Sequence, residues 1–199
     1  MIHKDSSPQD KVTEYYLYHR EMSNNACSRK VLARLQHECG KQLAIQGLEA
    51  ITHQASPSLT ITHTLQGGPF CPQIPCALSI SHSAREVVVL IGPEKSAIGI
   101  DVQKVEPRRP YADLAARFVD ADRKRWILEG DVPMRFCYVW TRMEAMMKAT
   151  GEAVIKLLAT PEAKDLPLSS HVYQTDEGLF VLSIYGASLT PSFARLLTF

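Results

Sequence analysis

The sequence lacks any apolar run near the roughly 20 residues that a membrane-spanning helix requires. Residues 1–11, MIHKDSSPQDK, are polar and of mixed charge, without the apolar segment of a secretory signal. Charge of one sign is also scarce, because 22 basic and 21 acidic residues leave a formal net charge of +1. We therefore expect no membrane association and no global electrostatic attraction to nucleic acid.

Paired cysteines and several common catalytic motifs are missing as well. The five cysteines are an odd number without C-x-x-C spacing, so free thiols in a reducing cytoplasm explain them better than disulfides or a zinc site. The chain has no G-x-x-x-x-G-K-[ST] phosphate loop, no H-E-x-x-H zinc helix and no nucleophile elbow. We expect a cytoplasmic protein whose chemistry does not depend on these motifs.

The sequence does have the composition of a well-packed protein, with 199 residues of which 45% are hydrophobic. Helical periodicity with a basic face predicts a helix over residues 24–45. Strands are predicted at 58–64, 77–81, 86–91, 97–102, 171–174 and 179–185. Helices are predicted at 111–118, 120–129 and 135–150, with Asp120 as an N-cap and Gly151 as a C-cap.

This order of elements lacks regular strand–helix alternation and predicts an α+β fold. The turn IGPEKS, between the strands at 86–91 and 97–102, suggests that these two strands form a hairpin. A division near residues 92–97 would give two halves, residues 1–95 and 96–199.

Three short patterns contain residues suited to phosphate or metal chemistry. Trp140, Glu144 and Lys148 follow each other at four-residue spacing and form one helical stripe. Taken alone, this stripe is better explained by a surface Glu–Lys pair beside a packed Trp. Strand alternation places Asp101 and Gln103 on one face, where their oxygens could bind Mg²⁺ or Asp101 could cap a turn.

The third pattern, S-I-S-H-S at residues 79–83, puts Ser81 and His82 at the end of a strand. Their polar atoms could bind phosphate oxygens or form a turn. The order of all three motifs, with Gly67-Gly68-Pro69 before them, resembles the signature of surfactin-type 4'-phosphopantetheinyl transferases.

That resemblance implies a monomer of two similar α+β halves in pseudo-twofold arrangement. Coenzyme A, the co-substrate, and Mg²⁺, with Mn²⁺ as an alternative ion, would lie in the cleft between them. Phosphopantetheine would move to a serine of an acidic acyl or peptidyl carrier protein, and 3',5'-ADP would leave. A basic zone before the long helix is a candidate docking surface or an ordinary solvated face: Arg108, Arg109, Arg117, Arg123, Lys124 and Arg125.

The resemblance also assigns roles to individual residues. Asp101 and Glu144 would be metal ligands, joined by Gln103 at the position of a further acid, and Glu144 would be the candidate base. Lys148 would contact the coenzyme A phosphates, completing a catalytic set with Asp101 and Glu144. The remaining candidates would bind coenzyme A: His82 and Ser81 at a phosphate, Gly67 and Pro69 beside the adenine, and Arg29, with Lys30 or Arg34, at the 3'-phosphate.

Three positions depart from the family pattern. Gly68 replaces a lysine, Gln103 replaces a glutamate, and Met143 replaces the lysine that precedes the catalytic glutamate. A lost cation near the transferred phosphate could cost about 3 kcal/mol of transition-state stabilisation. A degenerate protein that binds coenzyme A or a carrier without transfer is therefore a second hypothesis. A metal-dependent phosphohydrolase and a nucleic-acid or other interaction module are further alternatives.

Overall fold

The computed structural model describes residues 12–23, 28–53, 59–65, 67–160, 166–187 and 195–197, and its architecture is α+β. The first part of the chain contains β1 (Tyr16–Glu21), α1 (Arg29–Thr52), β2 (Thr62–His63), β3 (Pro69–Phe70), β4 (Cys76–Ser83) and β5 (Glu86–Pro93). The second part contains β6 (Gly99–Lys104), α2 (Tyr111–Phe118), α3 (Ala121–Leu128), α4 (Val132–Thr150), α5 (Val154–Ala159), β7 (Leu168–Thr175), β8 (Gly178–Tyr185) and β9 (Arg195–Leu197).

Two antiparallel sheets organise these elements. The N-terminal sheet has the strand order β1-β5-β4, and the C-terminal sheet has the order β6-β8-β7-β9. Strands β2 and β3 form a separate two-stranded ribbon. The change of sheet falls between residues 93 and 99, close to the predicted division, which stays a prediction because sheet membership alone does not define domains.

Strand β5 lies at the centre of the molecule and is buried along nearly its whole length. Val87 and Val89 pack in the cluster that includes Leu48 of α1, on one face of the strand. Val88 and Leu90 point the other way and join a cluster with residues of the C-terminal sheet. This burial on both faces explains why the sequence here is a continuous apolar run and not an alternating one.

The predicted hairpin between residues 86–91 and 97–102 is wrong. Strand β5 already has β1 on one edge and β4 on the other, so it has no edge left for β6. Strand β6 instead pairs with β8, where Asp101 lies opposite Ser183. The IGPEKS segment, in which Lys95 has a φ of 67°, carries the chain from one sheet to the other.

The helices agree better with the sequence patterns because their signals are local. Helix α2 has the predicted bounds, and Asp120 caps α3 by accepting hydrogen bonds from the backbone N–H groups of Asp122 and Arg123. Helix α4 ends at Gly151 as predicted, but α1 continues to Thr52, beyond the predicted end at residue 45. Residues 24–27 of the predicted first helix lie outside the described residues.

Several strands differ from the predictions in extent. The predicted strand 58–64 contains only the two residues of β2, and residues 54–58 are outside the description. Strands β4 and β7 each extend beyond their predicted limits, while β1, β3, β9 and the short helix α5 were not predicted. Within the described residues, no helix has the length and apolarity needed to cross a membrane.

The two sheets meet along a seam formed by side chains and not by a backbone ladder. Ser79, Ser81 and Ser83 alternate along β4, and their hydroxyls accept hydrogen bonds from backbone N–H groups of β6. The three N···O distances, from the nitrogens of residues 100, 102 and 104, are 3.0, 3.2 and 2.9 Å. The serines therefore satisfy donors at the edge of β6 and hold the edges of the two sheets together.

Gly99 lets β6 approach α4 more closely than any other residue would allow. An added Cβ would lie 1.8 Å from the carbonyl oxygen of Ala145, an atom of the α4 backbone. We therefore expect Gly99→Ala to destabilise the fold by about 3 kcal/mol, since strand or helix must shift. Urea unfolding measures this change.

Gly68→Ala is the matched control, because an added Cβ there would lie 3.5 Å from the nearest atom, Thr64 Oγ1. We expect this variant to stay within about 0.5 kcal/mol of the wild-type protein. Equal unfolding midpoints for the two variants would contradict the close packing of β6 on α4.

Candidate functional site

A cavity of about 350 Å³ opens where β4, β6 and α4 meet. Six of the nine residues proposed from the sequence line it: Ser81, His82, Asp101, Gln103, Glu144 and Lys148. The other three, Gly67, Pro69 and Arg29, are not among the lining residues. The structure thus brings together three motifs that are separated by up to 67 positions in the sequence.

Regular secondary structure accounts for the arrangement of these side chains. On α4, Trp140, Glu144 and Lys148 recur every four residues and all face the cavity. On β6, Asp101 and Gln103 are two residues apart and share a face. The helical stripe and the strand pair predicted from sequence therefore both belong to one site.

Asp101 is the most constrained side chain of the site and is only 6% exposed. Its Oδ1 accepts hydrogen bonds from Lys148 Nζ and from Ser81 Oγ, each at 2.7 Å. Lys148 Nζ also donates to the carbonyl oxygen of Ile100 at 2.9 Å. A buried carboxylate needs hydrogen-bonding partners, and this network supplies them and fixes the orientation of Asp101.

Glu144 has a different environment, although it lines the same cavity. Burial raises the pKa of Glu144 above its ordinary value, the negative charge of Asp101 raises it further, and the positive charge of Lys148 opposes both effects. A raised pKa makes the carboxylate a stronger proton acceptor at neutral pH. Of the two site carboxylates, Glu144 is therefore the better suited to act as a base.

The same two carboxylates are the oxygen ligands that the cavity could offer to a divalent ion. Asp101 and Glu144 are close enough to repel each other, and a cation between them would relieve that repulsion. Mg²⁺ commonly binds one or two carboxylates and completes its shell with water and substrate phosphates. The described residues contain no cluster of three or more His, Cys, Asp or Glu side chains arranged for a metal.

His82 and Gln103 are two further polar side chains that line the cavity. Burial lowers the pKa of His82, and the positive charges of Lys148 and His37 lower it further, so the ring favours its neutral form. The Gln103 Nε2 amide group donates to Ser83 Oγ at 3.4 Å and to the Lys104 carbonyl at 3.2 Å. The amide oxygen of Gln103 is thus the atom that could bind a cation.

Met143 does not face the cavity. Its side chain is 1% exposed, lies in the core of the C-terminal part, and contacts Arg123, whose Nη1 is 3.1 Å from Sδ. Arg123 itself pairs with Asp120 and donates to carbonyl groups at the end of α5. In this arrangement Met143 removes no cation from the cavity, so the structure does not support the expected loss of about 3 kcal/mol.

The structure gives Ser81 a contact that was not foreseen. Its hydroxyl donates to Asp101 and accepts from the Val102 N–H, and the residue is only 5% exposed. The hydroxyl therefore orients Asp101, whereas the predicted phosphate contact of Ser81 stays untested. The alternation of serines at 79, 81 and 83 was the signal in the sequence that could have indicated the seam.

The coenzyme-binding candidates outside the cavity have fewer contacts. Gly67 has a φ of 85°, a conformation that suits glycine, and Pro69 begins β3. Arg29 is the first residue of α1 and is exposed. Arg123 is 13% exposed and fully engaged, so it does not belong to the basic surface zone predicted before the long helix.

Comparison with known proteins connects this site to one family. Residues 97–184, which contain β6, α4 and most of the cavity, match the model of the 4'-phosphopantetheinyl transferase superfamily. This segment is therefore similar to members of that superfamily. Ser81 and His82 lie outside the matched segment but line the same cavity, so the cavity uses both parts of the chain.

Two bacterial relatives carry the name 4'-phosphopantetheinyl transferase AcpT. The protein of Escherichia coli K12 is 28% identical over 129 residues, which cover 63% of this chain and 66% of the relative. The protein of Salmonella typhi is 27% identical over 154 residues, or 74% of this chain and 79% of the relative. The match to the first relative thus spans just under two thirds of its length.

Proposed function

We propose that this protein transfers 4'-phosphopantetheine from coenzyme A to a serine of an acyl or peptidyl carrier protein. The single observation that carries the proposal is the cavity in which Asp101, Glu144 and Lys148 meet beside His82. The match of residues 97–184 to the superfamily model supports the same reaction, and it suggests coenzyme A and a carrier protein as the partners to test.

In the proposed reaction, the carrier serine oxygen forms a bond to the β-phosphorus of coenzyme A. The bond from that phosphorus to the oxygen of 3',5'-ADP breaks, and 3',5'-ADP leaves with the bond electrons. Glu144 accepts the serine proton, for which its raised pKa suits it. No covalent intermediate with the protein is required.

The remaining side chains bind and orient the phosphates. Lys148 carries a positive charge into the cavity and is held there by Asp101 and by the carbonyl group of Ile100. The imidazole of His82 can donate an N–H to a phosphate oxygen while neutral. Bound Mg²⁺, held by Asp101 and Glu144, would neutralise charge that develops on the phosphate oxygens.

An adjoining apolar cavity supports the proposed substrate. It has a volume of about 280 Å³ and shares Gln103 and Trp140 with the polar cavity. Tyr111, Phe118 and Phe136 line its other sides. Phosphopantetheine has a phosphate at one end and a less polar chain beyond it. The phosphate would lie in the polar cavity and the chain in the adjoining apolar cavity.

Five finer points are also part of the proposal. We propose the surfactin-type subclass, with residues 1–95 and 96–199 as two similar halves related by a pseudo-twofold axis. The serine seam between β4 and β6 gives such halves a direct contact next to the cavity. We further propose a cytoplasmic monomer that acts on acidic carrier proteins.

Intact-mass spectrometry tests the proposed function directly. Apo-carrier proteins from the same organism are incubated with the protein, coenzyme A and Mg²⁺, and the expected result is a gain of one phosphopantetheine. A carrier variant with alanine at the acceptor serine is the control and should gain nothing. If no carrier gains mass although coenzyme A binds, the degenerate binding protein replaces the proposed enzyme.

A further inference from the structure

A row of polar side chains crosses the C-terminal sheet beneath α4. Ser183 of β8 lies directly opposite Asp101 of β6 in one strand pair, and directly opposite Ser170 of β7 in the next pair. Directly opposite residues of antiparallel strands have their side chains on the same face of the sheet. The row therefore begins at Asp101, a proposed metal ligand, and continues under the helix. Ser183 is fully buried.

Hydrogen bonds connect α4 to this row. Thr141 Oγ1, which is also fully buried, lies 2.8 Å from Ser183 Oγ, and Ser183 Oγ lies 2.9 Å from Ser170 Oγ. At one end of the chain, Arg142 Nη1 donates to Ser170 Oγ at 3.2 Å. At the other end, Thr141 Oγ1 donates to the carbonyl oxygen of Tyr138 at 3.3 Å. The chain thus starts and ends on α4 and passes through two strands.

The two ends determine the direction of each hydrogen bond in the chain. A guanidinium group can only donate and a carbonyl group can only accept, and each hydroxyl has one hydrogen to donate. Ser170 therefore donates to Ser183, and Ser183 donates to Thr141, whose own hydrogen goes to the helix backbone. Every hydroxyl of the chain has both a donor and an acceptor in this order.

A polar network of this kind fixes how α4 packs on the sheet. Apolar side chains of suitable volume tolerate several packing arrangements, and precise complementarity is what selects one of them. A buried polar network selects one arrangement more strongly, because its groups are fully satisfied only there. The contact between Thr141 and Ser183 therefore sets both the position of α4 along the sheet and its rotation about its own axis.

The position of α4 matters for the site because its two carboxylates come from different elements. Glu144 follows Thr141 by three residues on α4, so it lies about 4.5 Å further along the helix axis. Asp101 lies beside Ser183 in the sheet. The hydrogen bond between Thr141 and Ser183 thus joins the helix to the sheet next to both carboxylates.

We propose that Thr141 and Ser183 are positioning residues for the binding of a divalent ion. Their hydrogen bond keeps Glu144 at the distance from Asp101 at which both carboxylates can bind one ion. Neither hydroxyl residue lines the cavity, so both act through the side chains that they hold in place. The inference rests on the proposed function, because Mg²⁺ is expected to bind together with the phosphates of coenzyme A.

Isothermal titration calorimetry of the full chain with coenzyme A, in the presence and in the absence of Mg²⁺, tests the inference. For the wild-type protein, Mg²⁺ should increase the affinity for coenzyme A. Thr141→Val keeps the shape of the side chain and removes the hydroxyl. We expect this variant to lose about tenfold of the Mg²⁺-dependent increase, as when a group that orients a metal ligand is removed. Its affinity without Mg²⁺ should match that of the wild-type protein.

Two further variants separate positioning from stability. Thr141→Ser keeps the hydroxyl but loses a buried methyl group, so it should unfold at a lower temperature than wild type and keep the full effect of Mg²⁺. Adding Ser183→Ala to Thr141→Val removes the hydroxyl that the single variant leaves without an acceptor. This double variant should regain unfolding temperature but not the effect of Mg²⁺.

Thr150→Val is the matched control, because Thr150 is exposed in the last turn of α4 and its hydroxyl donates only to the carbonyl group of Met146. It should bind coenzyme A like the wild-type protein in both buffers. Its unfolding temperature shows what loss of a hydroxyl from this helix does when no strand is contacted.

The possible results distinguish the inference from the proposed function. A wild-type effect of Mg²⁺ in Thr141→Val, or an equal loss in Thr141→Ser, would overturn the inference and leave the proposed function intact. Recovery of the effect in the double variant would overturn it as well, since stability alone would then control the ion. A wild-type affinity that does not depend on Mg²⁺ would have the same meaning. Absence of coenzyme A binding to the wild-type protein in either buffer would overturn both.

Discussion

Replacing Glu144 by glutamine is expected to lower the rate of phosphopantetheine transfer by about 10²–10⁴-fold, the usual contribution of a general base. The amide cannot accept the serine proton, yet it keeps the size and helical position of the side chain. Coenzyme A binding should therefore stay within a fewfold of wild type. Single-turnover transfer, followed by intact mass, measures the rate, and calorimetry measures the binding.

Glu152→Gln provides a matched control. Glu152 follows α4, is exposed and pairs with Lys156, and it does not line the cavity. Its replacement should leave the transfer rate unchanged. If Glu144→Gln transferred at the wild-type rate, the proton would have to leave by another route, and the assignment of Glu144 as the base would be wrong.

The same variant also tests the electrostatics of the cavity through its stability. The pKa of Glu144 is raised in the folded protein, so its charged form destabilises the fold at pH values above that pKa. This cost disappears as the pH falls below the ordinary value of 4.5. In metal-free buffer, Glu144→Gln should unfold at a higher temperature than wild type at pH 7.5, and the difference should vanish near pH 4.5.

Replacing Asp101 by asparagine is expected to impair both the chemistry and the fold. The substitution leaves Lys148 without its 2.7 Å carboxylate partner inside the cavity, at a cost of about 1.5–3 kcal/mol in the free energy of unfolding. It also removes one of the two proposed metal ligands. Transfer should fall by about 10²–10³-fold, comparable to the loss of a single electrostatic stabiliser.

A second substitution separates the two effects of Asp101→Asn. Adding Lys148→Met replaces the unpaired cation by an apolar side chain of similar length, so part of the lost stability should return. Transfer should not recover with the stability, because both charged groups are gone. Urea unfolding and the intact-mass assay, with Asp122→Asn on the exposed side of α3 as control, measure the two properties. Recovery of transfer together with stability would show that Asp101 serves only the fold.

The sequence allowed much of the site to be predicted because the relevant geometry is local. Four-residue spacing on a helix placed Trp140, Glu144 and Lys148 on one face, and two-residue spacing on a strand did the same for Asp101 and Gln103. The resemblance to a family then indicated that these stripes meet. All five residues line one cavity.

Contacts between distant segments could not be predicted in this way. Strand β6 pairs with β8 because both edges of β5 are already occupied, by β1 and β4. No short sequence pattern indicates which strands occupy those edges. The same holds for the stacked rings of His37 and His63, which are 26 positions apart. Their contact results from the packing of α1 and the β2–β3 ribbon.

The amino-acid sequence by itself determined the α+β class, the helices with clear caps, and the residue types that the cavity uses. Each of these follows from periodicity, capping or motif order within a short stretch of chain. Only the tertiary structure decided that Ser81 orients Asp101, that Met143 faces the core, and that Gly99 brings β6 against α4. These facts depend on which surfaces become neighbours when two sheets pack, which is a property of the whole fold.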